Sequence, residues 1–297
     1  MAMRAPCLPQ GGVIGICSPS HVAERGRYAR IEAGIRALGF QVREGDNLYR
    51  DTYGYLATPE ERAADFHQLL YDEDVRLIFF GGGEGGNELL PLLDFDAIRR
   101  HPKRMASFSD GTTLLCAIWA KTGLETYYGP TPSCFEAPSD YDRGQFLHHL
   151  VLDDAACHRA AGPWHTLVPG QAEGILVGGY TRNFALLLGS PYFPCSLEEK
   201  HILFLEDHQQ FGGVDYVSAM ISHIEQSGFM ASVTGVLFGH YAPTPPPELL
   251  ARLTRLGEKY GIPVAYCDDF GHGENHAVLP IGRTARLDTQ AQTLRYL

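Results

Sequence analysis

The run Arg76-Leu77-Ile78-Phe79-Phe80 passes without a break into Gly81-Gly82-Gly83-Glu84-Gly85-Gly86. A short apolar run with no alternating polar residues describes a strand buried on both faces. The glycines that follow describe backbone that turns tightly or lies close against another group. A strand covered on both sides belongs to a parallel sheet with helices on each face. The residues before it fit that scheme. Val13-Ile14-Gly15-Ile16-Cys17 is a compact buried strand closed by the turn Ser18-Pro19-Ser20. Tyr28, Ile31, Ile35 and Leu38 then recur at three- and four-residue steps, one face of a helix that stops at Gly39. Phe40-Gln41-Val42 reads as a second strand. Thr58-Pro59-Glu60-Glu61 opens a helix, with Thr as N-cap and Pro in the first turn, that turns Ala63, Phe66, Leu69 and Leu70 inward.

After the glycine run the pattern predicts a helix over Asn87 to Leu93, a strand over Met105 to Phe108 and a helix from Gly111 to Lys121. Between Asp153 and Ala172 the periodicity lapses into mixed Ala, His, Gly and Pro, and the domain boundary is placed there. The division gives a first α/β domain over 1–160 and a second over 161–297. Two domains also suit 297 residues, about twice the usual domain length of roughly 150. In the second, strands are expected at Gly174 to Gly179, His201 to Leu205 and Val233 to Phe238. Helices are expected from Val214 to Gln226 and from Glu248 to Tyr260, and β structure at Pro263 to Tyr266 and Ala285 to Leu287. There is no internal repeat and no low-complexity tract.

Charge narrows the partners. Twenty-four Lys and Arg against 35 Asp and Glu leave a net charge of −11, which opposes non-specific binding to nucleic acid or to an anionic membrane. A local basic pocket for an anionic substrate remains compatible with that balance. No apolar run approaches the roughly 18 residues that a membrane span needs. The opening MAMRAPCLPQGG carries no hydrophobic stretch of signal-peptide length. Cys7, Cys17, Cys116, Cys134, Cys157, Cys195 and Cys267 are odd in number and scattered, with no C-x-x-C pair. Reduced thiols, mostly small core residues, in a cytoplasmic protein are the expectation.

Four segments can carry chemistry. The glycine run satisfies G-x-G-x-x-G, which any glycine-rich stretch does, but it follows the third strand and has no G-K-[ST]. It reads first as a tight strand-to-helix turn, and otherwise as a dinucleotide loop or a set of bare amides for an oxyanion. Ser107-Phe108-Ser109-Asp110-Gly111 lies at a strand-to-helix junction and approximates G-x-S-x-G; Ser109 is either an exposed nucleophile or an N-cap. Phe204-Leu205-Glu206-Asp207-His208 puts carboxylates at the end of an apolar strand, facing a cleft, capping the next helix or pairing with an arginine. Phe270-Gly271-His272-Gly273-Glu274-Asn275-His276 places His272 in a loop rather than on an apolar helix face. His272, Glu274 and His276 also suggest a metal site, although H-x-E-x-H in a loop lacks the helical register of H-E-x-x-H. No metal is the expectation.

Taken in order, these segments resemble the serine peptidases that include the murein tetrapeptide LD-carboxypeptidases and the microcin C immunity peptidases. The resemblance runs over nearly the whole chain. It rests on IGICSPS, Tyr55-Leu56-Ala57 before Glu60-Glu61-Arg62-Ala63-Ala64-Asp65, GGGEGG-NELLPLLDFD, Pro102-Lys103, Ser109-Asp110 and Tyr128-Gly129-Pro130. Further on it rests on GILVGGY, ILFLED, GVLFGHY and FGH followed by LPIG. It implies a flavodoxin-like parallel-sheet N-terminal domain joined to a smaller, β-rich α/β C-terminal domain. It implies a triad of Ser109, Glu206 and His272, with oxyanion amides from the pair Gly82 and Gly83 and from Asp110. The family pattern has Gly where this chain has Ser107, and G-G-N where it has Gly178-Gly179-Tyr180.

The implied reaction is amide hydrolysis through an acyl-enzyme, with no cofactor. A histidine, whose ordinary pKa lies near 6.5, takes the serine proton and returns it to the leaving amine, while the glutamate fixes the tautomer. LD-carboxypeptidases release the terminal D-alanine of a murein tetrapeptide. Microcin C immunity peptidases cleave the amide joining a peptidyl or aminoacyl group to a modified nucleotide. Tyr127-Tyr128-Gly129-Pro130 and Asn87-Glu88-Leu89-Leu90-Pro91 lean toward the second branch. Tyr180 is expected at the substrate, and Trp164 is the candidate for stacking on a nucleobase. A small peptide or peptidyl-nucleotide partner and a homodimer follow from the resemblance. A non-catalytic nucleotide-binding protein on the same fold is the contrasting reading, supported only by GGGEGG.

Overall fold

The computed structural model describes residues 3–194 and 198–297. Cys195, read above with the other thiols, lies outside them. Along the chain the first elements are β1 (Val13–Cys17), α1 (Arg25–Ala37), β2 (Gln41–Glu44), α2 (Pro59–Tyr71), β3 (Val75–Phe80), α3 (Phe95–Arg100) and β4 (Arg104–Ser107). They are followed by α4 (Thr112–Thr122), β5 (Thr126–Tyr128), α5 (Asp140–Phe146), β6 (His165–Val168), β7 (Gln171–Tyr180) and α6 (Thr181–Leu187). The remainder is β8 (His201–Glu206), α7 (Val214–Gln226), β9 (Val233–His240), α8 (Pro247–Tyr260), β10 (Val264–Gly271), β11 (Leu279–Ile281), β12 (Thr284–Asp288) and β13 (Thr293–Tyr296).

The strands form two sheets. The first has the order β11-β5-β4-β3-β1-β2, in which β1 to β5 are parallel and follow the flavodoxin-like 2-1-3-4-5 order. The second has the order β13-β12-β7-β8-β9-β10-β6, with β7, β8, β9 and β10 parallel and the outer strands antiparallel. Alternation along β3 explains why its sequence is apolar from Leu77 to Phe80. Leu77 and Phe79 enter the core beneath α1 and α5, whereas Val75, Ile78 and Phe80 enter the core shared with α2, α4 and the second sheet. Each such side chain contributes about 1.5–3 kcal/mol on burial.

Helix signals act where they were read. Thr58 and Glu61 form a reciprocal capping box at the start of α2. α4 is buried from Thr112 to Trp119, as a helix apolar on every side must be, and it packs between the first sheet and β7 with α6. Asn87 to Leu93 departs from expectation. It is a 3-10 segment, Gly86–Leu92, because Pro91 removes an amide and crowds the preceding turn. The stretch taken as irregular between the domains holds β6, an edge strand paired antiparallel with β10.

The parallel strands of both sheets run toward one cleft, and their C-terminal ends carry the glycine run, Ser109, Tyr180, Glu206 and His272. Gly178 sits in β7 at φ +141°, where a β-carbon would lie 1.8 Å from the Phe204 carbonyl oxygen. Gly178→Ala is expected to destabilise the fold by at least about 2 kcal/mol, read from the urea midpoint. An unchanged midpoint would contradict this account of β7.

Candidate active site

Ser109 occupies a strained turn. After β4 the backbone reaches φ +55° at Ser109, a left-handed conformation costly for a residue with a side chain. The turn closes as a short 3-10 segment, Ser109–Gly111, before α4. Gly111 is required there: a β-carbon on it would lie 2.0 Å from Ser107 Oγ, which donates to the Phe80 carbonyl at 3.2 Å. Serine in place of the first glycine of the elbow is thus accommodated by the glycine that ends it. The Ser109 side chain does not cap α4, whose N-cap residue Gly111 has no side-chain bond. Its Oγ instead lies 2.9 Å from His272 Nε2.

His272 Nδ1 lies 2.8 Å from Glu206 Oε2. Glu206 ends β8 and is fully buried; His272 follows Gly271 at the end of β10. At φ +107° a β-carbon on Gly271 would come within 2.8 Å of Glu206 Oε2, so glycine there lets the chain wrap the carboxylate. Three side chains far apart in sequence therefore form one continuous chain of hydrogen bonds.

A fourth residue had no chemistry assigned from sequence. The Tyr128 hydroxyl donates to Glu206 Oε1 at 2.5 Å and accepts the Ser109 backbone N–H at 3.2 Å. Burial, reinforced by the neighbouring Glu206 charge, holds the phenol well above its ordinary pKa, so it remains a donor. The period-two alternation of β5 could have separated it from Tyr127, which enters the opposite core. The Ser109 amide is thereby engaged by Tyr128.

The glycine run is a braced loop. The Asp110 carboxylate accepts the Gly86 N–H, Ser20 Oγ and Asn183 Nδ2, each at 2.6 Å, which fastens the glycine run to the elbow. Burial raises the Asp110 pKa against the pull of those donors. Gly82 and Gly83 line the cavity with Ser109; a β-carbon on Gly82 would stand 3.3 Å from Ser109 Cβ, and Gly83 has φ +139°. His21 lies under Gly81, its ring nitrogens 2.8 Å from Ser18 Oγ and 2.8 Å from the Tyr28 hydroxyl.

The cavity encloses about 530 Å³. Tyr180 lines it with its ring 5.1 Å from that of His272, and its N–H donates to Thr112 Oγ1 at 2.9 Å. Trp164 does not line it. Its indole is buried in the second sheet's core and donates to Asp269 Oδ2 at 2.7 Å, an oxygen also 2.8 Å from His158 Nε2, so it offers no face to a substrate base. A substitution of the signal explains the miss: indole N–H groups seek buried acceptors as readily as clefts. The exposed aromatic beside the site is Phe211, 56% accessible, with its ring 5.0 Å from His272.

The His276 ring meets Asp142 Oδ1 at 3.2 Å; although burial opposes its charge, Asp142 and Cys134 carry its pKa up to about 10. Among the described residues no three His, Cys, Asp or Glu side chains converge as a metal-binding group. Asp207, next to Glu206, is also fully buried. One oxygen accepts the His208 N–H at 2.8 Å, the other has no hydrogen-bond partner among the described residues, and burial with the Glu206 charge pushes its pKa up to about 7.

Residues 14–129 match the LD-carboxypeptidase N-terminal domain and residues 173–287 the LD-carboxypeptidase C-terminal domain. A Treponema pallidum protein is 31% identical over 89% of this chain and 85% of its own length. A Bacillus subtilis protein named a probable murein peptide carboxypeptidase is 29% identical, covering 98% and 93%. The microcin C7 self-immunity protein MccF of Escherichia coli is 28% identical, covering 96% and 93%. Among solved structures, an MccF-like protein from Bacillus anthracis superposes with a TM-score of 0.89 at 25% identity over 100% of this chain and 99% of its own. MccF in complex with aspartyl sulfamoyl adenosine superposes with a TM-score of 0.87 at 27% identity over 98% and 97%. With both halves of the chain matched in order, and a 31% identical relative spanning most of both proteins, this chain belongs to the LD-carboxypeptidase family.

Proposed function

We propose that the protein is a serine carboxypeptidase that hydrolyses an amide through an acyl-enzyme, releasing the terminal D-alanine of a murein tetrapeptide. The observation that carries this reading is the placement of His272 Nε2 2.9 Å from Ser109 Oγ, with Nδ1 2.8 Å from Glu206. With Nδ1–H donated to Glu206, Nε2 is the basic nitrogen. It takes the Ser109 proton as Oγ attacks the scissile carbonyl carbon. Charge developing on the carbonyl oxygen is received by backbone amides of the Gly82–Gly83 turn and of Asp110. The imidazolium then protonates the leaving amine, and water, activated by the same nitrogen, releases the acyl group. Tyr128 holds Glu206 in line from the opposite side. None of these steps uses a metal or organic cofactor.

The name of the Bacillus subtilis relative supports a murein peptide as substrate. A second reading, cleavage of a peptidyl- or aminoacyl-nucleotide amide, is supported by MccF having been solved with aspartyl sulfamoyl adenosine. Here Phe211 offers the exposed ring on which a base would stack. Turnover of murein tetrapeptide against aspartyl sulfamoyl adenosine separates the two. A non-catalytic nucleotide-binding function is disfavoured by the Ser109–His272 bond, and labelling of Ser109 by a fluorophosphonate would exclude it. A cytoplasmic homodimer completes the reading. Among the described residues no helix is long and apolar enough to cross a membrane.

Ser109→Ala is expected to lower kcat by roughly 10⁴-fold or more; retention of turnover would remove the serine mechanism. Tyr128→Phe is expected to lower kcat about 10- to 100-fold with KM little changed, the usual worth of a hydrogen bond to a charged group. A pure KM effect would assign Tyr128 to binding instead. Asp207 gives a pH signature. The unfolded chain releases this proton near the ordinary value of 3.8, whereas the folded state holds it to about 7. Its contribution to stability is therefore complete below pH 3.8 and lost as pH rises through about 7. Urea unfolding of Asp207→Asn should show a smaller fall in stability between those limits than wild type, and an identical fall would refute the assignment.

A further inference from the structure

The protein is acidic, at net −11, yet the cavity at Ser109 is lined by Arg27 and Arg182 against a single glutamate, Glu84. Arg27 is already committed elsewhere: it bonds Glu136 at 3.0 Å, together with Arg30 at 2.9 Å. Arg182 differs. Its guanidinium lies over the Tyr180 ring, 5.4 Å from the centroid, and bonds Glu84 Oε1 at 2.5 Å. The two ends of this pair come from opposite sides of the cleft, Arg182 from α6 and Glu84 from the glycine run.

Both backbones are pinned by the site itself. On either side of Arg182, Thr181 Oγ1 donates to the Glu206 carbonyl at 2.8 Å and Asn183 donates to the Asp110 carboxylate at 2.6 Å. The Glu84 N–H donates to the Ser20 carbonyl at 2.8 Å. Only the side chains are free to change partners. They are unequal in this respect, since the Arg182 side chain is 24% exposed and that of Glu84 73%. A carboxylate so exposed is held weakly and gives way readily to another. The pair also lines a second cavity of about 350 Å³ and so stands where the two spaces adjoin.

We propose that Arg182 is a subsite for a carboxylate of the peptide substrate, and that Glu84 occupies it until the substrate carboxylate displaces it. The proposal rests on the reading of Ser109 as the nucleophile of a peptidase. Guanidinium suits this task because its planar fork takes both oxygens of a carboxylate and keeps its charge at any working pH. Glu84 then acts as an internal competitor, which a structural strut would not.

That difference in sign supplies the test. Murein tetrapeptide binding is measured by calorimetry on Ser109→Ala protein, alone and with Arg182→Gln, Arg182→Lys or Glu84→Gln. Arg182→Gln is expected to raise Kd by at least about tenfold, and Arg182→Lys by less, because the charge remains without the fork. Glu84→Gln is expected to lower Kd, by removing the competitor. If Glu84→Gln raises Kd as Arg182→Gln does, the pair is a strut and the proposal falls. It falls equally if none of the variants changes Kd, or if Ser109→Ala protein does not bind the tetrapeptide. Should wild type bind with this pattern of signs but fail to hydrolyse, the peptidase reading fails and the subsite stands.

Discussion

Glu206 has no access to water, and a carboxylate in that position is tolerated only when both oxygens are bonded. One oxygen takes the Tyr128 hydroxyl and the other the His272 ring. Tyr128 comes from the first sheet and His272 from the second. Satisfying one buried charge therefore sets the position of one sheet against the other. The same bonds aim His272 at Ser109, and the Tyr128 oxygen also holds the Ser109 amide. Removing either partner would leave a buried charge half-satisfied, which ties the stability of the cleft to its chemistry.

The turn at Ser109 shows a related economy. Ser109 is held at φ +55°, and this strain is sustained by contacts on every side: Gly111 against Ser107, Asp110 against Ser20, Gly86 and Asn183, and the Ser109 amide on Tyr128. Asn183 belongs to α6 of the second sheet's layer, so the elbow is braced from across the cleft as well as from below. Glycine is needed where these braces approach most closely, and bulk is accepted at Ser107 because Gly111 yields the room.

Much of this was legible in the residues. Strand Val13–Cys17 and helix Val214–Gln226 match the spans read from pattern, because their apolar spacing is decided locally. Ser109, Glu206 and His272 were reached through motif context and meet within hydrogen-bonding distance. What escaped depends on long-range contact. Pro91 outweighed the apolar spacing around it, and β6 gains its ladder only from β10. Tyr128 sits beside another tyrosine, and only the orientation of β5 tells which faces Glu206. Trp164 illustrates the opposite error: its partner, Asp269, lies far along the chain and draws the ring into the core.

Strand β11 lies late in the chain yet completes the first sheet, pairing antiparallel with β5 so that Leu279 stands opposite Tyr128. Six residues separate His272 from that strand in the sequence. The polypeptide that carries His272 is thus stitched into the sheet that carries Ser109. The chain crosses from the second sheet to the first between β10 and β11 and returns between β11 and β12. One short strand therefore ties the backbone beside His272 to both sheets at the cleft.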